Sequence, residues 1–284
     1  MAETGILGCH SRGGRQDART KASRTGAIDG HVAWRLVLVL LPPSETKAPG
    51  GDGPPLDLSA LAAPELTAVR TEIADALVKL AGDAPASRTA LGLSPRQDDE
   101  IERNAALWTG ATLPALRRYT GVLYDALDVG SMTRAQRARA SRRLAVGSAL
   151  FGLVRADDPI PAYRLSAGSS LPGLPTLRAL WRPALSPVLA GVDDLVVDLR
   201  SGSYAALAPV PGAVTLEVLS ERPDGTRSVV SHFNKAHKGR LARLLATTTA
   251  EPDSPVRLRS LLRRAGFHVE QNGRTALTLV VPAP

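Results

Sequence analysis

The stretch from Gly147 to Gly168, GSALFGLVRADDPIPAYRLSAG, limits what this chain can fold into more than any other part of it. Its first half is apolar and glycine-spaced, with Leu150, Phe151, Leu153 and Val154, and it turns polar at Arg155, Asp157 and Asp158. A proline fixes its own φ and drives the preceding residue out of the helical region, so Pro159 and Pro161 make the chain from Asp158 to Pro161 extended and stiff. One reading is a rigid bend, anchored by its apolar half, that presents Arg155 and Arg164 to an anion. The other is a buried turn whose arginines pair with Asp157 and Asp158. The residues leave both open.

Upstream, WRLVLVLL (34–41) is an apolar run of strand length closed by Pro42 and Pro43, which reads as a buried strand. Such a strand delivers the next residues to a sheet edge, where ligands sit in open α/β sheets. Those residues are Ser44, Glu45, Thr46 and Lys47, either a small polar site or an ST-turn beside a solvated lysine. Residues 1–33 hold almost no large apolar group, cannot offset their ordering entropy, and are expected to be a disordered extension ahead of a domain spanning 34–284.

Helical spacing runs from Leu56 to about Leu80, interrupted by Pro64, and again over about Pro95 to Leu107 behind a Ser94 N-cap. Leu113 to Leu127 follows, carrying Tyr119 and Asp125. Thr133 then opens an arginine-rich helix, TRAQRARASRRLAV (133–146), more in keeping with a solvated face than with a docking surface. A short helix around Trp181, a strand at Leu195–Leu199 and a short helix near Tyr204 come next. The clearest hairpin turns at Pro223, Asp224 and Gly225. Its second arm enters a helix with Leu241, Leu244 and Leu245 inward and Lys235, Lys238, Arg240 and Arg243 around its start. A last helix, a strand, an Asn272–Gly273 turn and a final strand end the chain.

Lys and Arg outnumber Asp and Glu by 35 to 27, for a net charge of +8 and a pI near 10.2. A pI above about 9 favours a polyanionic partner. The longest apolar run falls far short of the roughly 20 residues a membrane span needs, so no membrane is expected. With Cys9 as the single cysteine there is no disulfide framework, and the start MAETGILGCHSRGG lacks a secretory hydrophobic region, which favours the cytoplasm. His232 and His237 are wrongly spaced for one helical face, so no metal is expected, and no cofactor either, since phosphate-binding glycine loops are absent. Ser44 and Ser203 lack companions for a hydrolase triad. Two chemistries remain: phosphate binding by dispersed cations, or a nucleotide pocket in which Asp125, Asp198 or Glu45 is the general base.

Five segments in order, PPSETK (42–47), YTGVLYDALD (119–128), LFGLVRADDPIPAYRLSAG (150–168), VVDLRSGSYAAL (196–207) and SHFNKAHKGRLARLL (231–245), resemble the peroxide stress protein YaaA family. The resemblance covers roughly 36 to 282. It implies an α+β fold, a single compact domain with a mixed β-sheet or partial barrel surrounded by helices. It also implies a positively charged cleft, DNA binding through a helix-hairpin-helix-like element, and a role in limiting peroxide damage linked to free iron. Carried over by position, the site residues are Ser44, Lys47, Tyr119, Asp125, Arg155, Tyr163, Arg164, Asp198, Tyr204, Lys235, Lys238 and Arg240, with Thr46 beside them. Two departures stand out. Residues 92–108 are acidic at their centre without a clear glycine-centred hairpin between two helices, and Ala236 replaces one of the family's paired lysines, with Lys238 in place of an arginine. The expectation is a cytoplasmic monomer that binds DNA or another nucleic acid, with an enzyme acting on a nucleobase or nucleotide as the alternative.

Overall fold

A computed structural model describes residues 37–229 and 234–283. The disordered extension expected over 1–33 with its Cys9, the start of the first apolar run at Trp34, and His232 lie outside the described residues.

The first strand, β1 (Val37–Leu41), is buried at all five positions, which explains its unbroken apolar run: a strand covered on both faces has no polar side to alternate with. Short 3-10 turns at Leu58–Ala60 and Pro64–Leu66 precede α1 (Thr67–Ala81), so Pro64 starts the helix late, with Ala63 left-handed at φ 57°. Next comes α2 (Ala84–Leu91), which the sequence did not announce. It ends at Gly92, φ 64°, and α3 (Asp98–Ala105) follows behind a Ser94–Gln97 capping box. Arg88 Nε donates to Asp98 Oδ1 at 2.8 Å and clamps the two helices. Residues 92–108 therefore do open with a glycine turn between two helices, contrary to expectation; α2 is short, and its single buried stripe of Ser87 and Leu91 left too little periodicity to see.

Then come β2 (Leu113–Pro114), α4 (Ala115–Arg118), α5 (Val122–Leu127) and α6 (Arg134–Arg143), the last opened by a Thr133–Gln136 capping box. The helix stops at Arg143 rather than 146, because Leu144–Ser148 is β3, and the apolar anchor continues as β4 (Gly152–Arg155) and β5 (Pro159–Ile160). A single longer helix, α7 (Leu177–Ala190), replaces the expected short one around Trp181. The remainder is β6 (Leu195–Asp198), α8 (Gly202–Ala205), β7 (Val214–Glu221), β8 (Arg227–Val229), α9 (Asn234–Thr247), α10 (Pro255–Arg264), β9 (Val269–Gln271) and β10 (Ala276–Pro282).

The main sheet runs β4-β3-β1-β6-β7-β10-β9, with β8 paired to β7. Its middle, from β3 to β10, is parallel, while β4, β8 and β9 pair antiparallel, so the sheet is mixed and open rather than barrel-like. From β1 the chain builds β3 on one side and later β6 on the other. Strand order thus reverses at β1, and the crevice outside the carboxyl ends of β1, β3 and β6 is where an open α/β sheet places its ligands.

The arginine-rich α6 divides its charges. Arg143 Nη1 donates to Leu245 O and Thr248 O at 2.9 and 2.8 Å, and Arg139 Nη2 to Thr247 O at 2.9 Å, satisfying orphan carbonyls at the end of α9. Arg134, Arg137 and Arg142 are exposed, the solvated face expected of such a run. Helix α9 also packs on α5 so closely that a Cβ at Gly239 would fall 2.2 Å from Leu123 O.

Candidate functional site

Chain termination at β1 sets the site. Pro42 and Pro43 end the strand, and the Pro42 carbonyl accepts from Tyr124 Oη at 2.8 Å. The next residues turn back along the α4–α5 link: Thr120 N donates to Thr46 O at 3.2 Å, Ala48 N to Arg118 O at 2.8 Å, and Lys47 forms an antiparallel bridge with Tyr119. Gly121, at φ 92°, makes this possible, since a Cβ there would meet Thr46 Oγ1 at 3.2 Å and Ser44 Oγ at 3.5 Å. Thr46 Oγ1 donates to Thr120 O at 3.3 Å, so Ser44 is the donor in the 3.1 Å hydroxyl pair between them. Thr46 N also donates to Ser44 Oγ, so the ST-turn and a polar cluster are both present.

Lys47 is not solvated. It is 8% exposed, and its Nζ donates to Ser44 O at 3.0 Å and Glu45 O at 3.3 Å. The amine lies 4.2 Å from the centre of the Tyr163 ring and 5.5 Å from that of Tyr119. Burial pulls its pKa down to about 7; Arg164 and Arg103 pull the same way, and Glu100 and Glu45 oppose.

Behind the lysine runs a chain of hydroxyls. Ser148, at the end of β3, accepts from Leu150 N and Phe151 N at 3.2 and 3.0 Å, which fills both of its lone pairs. Its proton therefore goes to Tyr163 Oη at 2.8 Å, and Tyr163 in turn donates to Tyr119 Oη at 2.8 Å. Burial raises the pKa of both tyrosines far above the ordinary phenol value. Tyr204, at α8, is raised by burial to about 12.

Arg164 joins this cluster. Its Nη2 donates to Glu45 Oε2 at 2.9 Å, and its backbone is gripped by the Asn104 amide, which accepts from Arg164 N at 2.7 Å and donates to Arg164 O at 3.0 Å. Arg155 goes elsewhere. It pairs with Ala145, toward the amino end of β3, and its Nη2 donates to Ser141 O at 3.4 Å. The bend is pinned by Asp158, whose Oδ2 accepts from Ala62 N at 3.1 Å and Arg155 N at 2.9 Å. Each reading holds in part: Arg164 reaches the cluster, while the charge of Arg155 acts on Asp157 and Asp158, the latter also binding backbone N–H groups.

At the end of β6, Asp198 accepts from Arg200 Nε at 2.9 Å and Nη2 at 2.7 Å, a buried pair that also holds Ala208 O. A carboxylate so engaged is a brace, which weakens its candidacy as a base. Lys238 reaches the same edge, with its Nζ donating to Leu199 O at 3.0 Å and its pKa lowered by burial against the pull of Asp198. Lys235 and Arg240 are exposed on α9. Asp125 is exposed on α5, where its neighbour Tyr124 takes the inward position.

Sequence reasoning missed Asn104 and Arg200. The signal for Arg200 was present in the D-L-R spacing, while Asn104 had none. Three surface cavities, of about 350, 720 and 380 Å³, are lined by none of the cluster residues. No helix among the described residues is long and apolar enough to cross a membrane.

Fold and cluster together define an α/β protein with a polar, cation-bearing edge at its strand-order reversal. The chain belongs to the peroxide stress protein YaaA family, whose pattern matches residues 37–273. It is 52% identical over 251 residues to a UPF0246 protein of Corynebacterium efficiens, covering 86% of this chain and all of the relative. A UPF0246 protein of Streptomyces coelicolor is 48% identical over 239 residues, covering 82% of this chain and 92% of the relative.

Proposed function

We propose that this protein serves defence against peroxide, limiting oxidative damage linked to intracellular iron, by holding nucleic acid, DNA foremost, against the carboxyl edge of its sheet as a cytoplasmic monomer. The observation that carries the reading is the gathering of basic side chains from separate segments at that edge: Arg164 after β5 and Lys238 on α9, with the buried amine of Lys47 after β1. Exposed Lys235 lies one turn before Lys238, and exposed Arg240 two residues after it. Phosphates are bound by such groups without reading bases, and the net charge of +8 supports the same partner. The acids of α3 are largely engaged, Asp98 with Arg88 and Asp99 and Glu100 with Arg103, which leaves the α9 cations as the groups that meet an incoming backbone.

Duplex retention measured by fluorescence anisotropy across a salt series tests this. Replacing Lys235 and Arg240 together by Ala should reduce the slope of log K against log salt by about 2, since each phosphate contact contributes close to 1. An unchanged slope sinks the assignment. The hydroxyl chain and the buried amine of Lys47 favour a second reading, an enzyme acting on a nucleobase or nucleotide. Calorimetric binding of a nucleoside monophosphate without any duplex retention would select it.

A further inference from the structure

We propose that Lys47 Nζ is a nucleophile that forms an imine with the open-chain aldehyde of a deoxyribose that has lost its base, in DNA held at this edge. The inference rests on the nucleic-acid reading above and adds to it the substrate group and the reacting atom.

A lysine buried for structural reasons is placed beside a carboxylate, because an unpaired ammonium is expensive to bury. Here the two nearby carboxylates are already taken: Glu45 Oε2 by Arg164 at 2.9 Å and Glu100 Oε1 by Arg103 at 2.9 Å. Among the described residues Lys47 makes no ion pair. What it has instead is two backbone carbonyls, Ser44 O and Glu45 O, and the faces of the Tyr163 and Tyr119 rings. A neutral amine has two N–H bonds, so these acceptors satisfy it completely and losing the third proton orphans no donor. The lone pair then lies away from both carbonyls. Burial, helped by Arg164 and Arg103, brings the pKa to about 7, so the neutral form is well populated at physiological pH.

The surroundings select the electrophile. Nucleic acid with intact bases offers no free aldehyde, whereas oxidative base loss, the lesion class that peroxide creates, leaves one at the sugar C1′. A sugar without a base has neither pairing nor stacking to give up, so it swings out of the duplex more easily than an intact nucleotide. The Ser44 and Thr46 hydroxyls and the exposed cations of α9 are groups that suit the flanking phosphates. The charges of Arg164 and Glu45 both act on the amine, which also donates to Glu45 O. Glu45 is 67% exposed and Arg164 13%, so admitting the sugar means turning the Glu45 carboxylate out to solvent.

The step balances without a further reactant. The Nζ lone pair adds to the aldehyde carbon, the carbonyl oxygen gains a proton from water, and the nitrogen returns one to water, giving a carbinolamine. Its hydroxyl then leaves as water with a solvent proton, and the amine and carbon are joined as a protonated imine.

The full-length protein is incubated with a duplex bearing one abasic site and with an undamaged duplex, and sodium borohydride is added to reduce any imine to a stable secondary amine. Adducts are resolved on denaturing gels and located by peptide mass mapping, while anisotropy reports retention in the same samples. The expected result is an adduct on Lys47 with the abasic duplex alone, formed faster as pH rises through 7, and lost in Lys47→Met. Mapping on the wild-type protein keeps the test decisive even if that variant folds poorly. Retention of DNA without an adduct, or an adduct on Lys235 or Lys238 instead, overturns the inference and leaves the nucleic-acid reading standing. No retention of either duplex defeats that reading, and 2-deoxyribose 5-phosphate then serves as probe: trapping on Lys47 overturns DNA as the carrier, and no trapping overturns the nucleophile as well.

Discussion

Lys47 should make the protein more stable in alkali than at neutral pH, by an amount that can be worked out. The folded protein holds its amine near pH 7, against 10.5 for an unhindered lysine such as the unfolded chain presents. Between these values the unfolded chain binds a proton that the folded chain does not. Stability therefore rises with pH across this window, and below pH 7, where both states are protonated, the contribution is flat and at its least favourable. Integrating the two titrations from pH 7 to 10.5 gives a gain of about 4 kcal/mol. Lys238, whose pKa burial also lowers, and the tyrosines that unfolding releases from burial contribute to the same pH dependence, so the quantity to measure is a difference. Lys47→Met keeps much of the side-chain length and removes the proton, and urea unfolding of both proteins at matched pH, with m unchanged, gives the difference directly. The wild type should gain on the variant by about 4 kcal/mol between pH 7 and 10.5, within a factor of two. A difference that stays level over that range refutes the reasoning: the amine would then be hydrated, and neither its burial nor its nucleophilic form would stand.

Tyr163→Phe should destabilise more than Tyr119→Phe, by about 0.5–1.5 kcal/mol in urea unfolding, because it strands the Ser148 donor and removes the donor to Tyr119, whereas the other change strands Tyr163 alone. Equal losses would mean that the hydroxyl chain does not run in the stated direction. Gly239→Ala places a Cβ 2.2 Å from a backbone oxygen that cannot swing aside, forcing α5 and α9 apart. Overpacking of this kind costs about 1–3 kcal/mol and should lower the thermal midpoint by several degrees. Arg143→Met frees Leu245 O and Thr248 O at the buried end of α9 and should cost about 2–4 kcal/mol by the same assay, with hydrogen exchange accelerating first in the last turn of α9.

Elements with a strong local rule were legible from sequence. Thr133 marked the start of α6, and Pro223-Asp224-Gly225 marked the β7–β8 turn. Strand β3 was hidden because a strand buried on both faces carries no alternation, and Leu144–Val146 continues the arginine-rich helix without a visible break. Helix α7 was cut short for a different reason. Pro183 and Pro187 each remove an i→i−4 bond, yet they are spaced by four on the exposed side, so the carbonyls they strand face water. In the site, chemistry-bearing types were recognisable but their destinations were not. Arg155 and Arg164 look alike in sequence, and only the antiparallel pairing of β4 with β3 sends Arg155 toward the far end of the strand. Asp198 looked like a free carboxylate until Arg200, two residues on, folded back onto it.

That outcome bears on how the site can be dissected. Lys47, Tyr119, Tyr163 and Ser148 hold the ends of β1 and β3 to the α4–α5 link and to the residues after β5, so the bonds that assemble the cluster are also bonds that close the fold. A loss of activity on changing any of them mixes two effects, and such a result alone assigns no role. Lys235 and Arg240 differ: they are exposed, neither closes a segment onto the sheet, and surface substitutions away from buried networks usually shift stability by no more than about 0.5 kcal/mol. Charge at the edge can therefore be removed without touching its scaffold, and the amine can be followed through its covalent product in the unaltered protein. Only that pairing of surface variants with wild-type trapping separates what the edge binds from what holds it together.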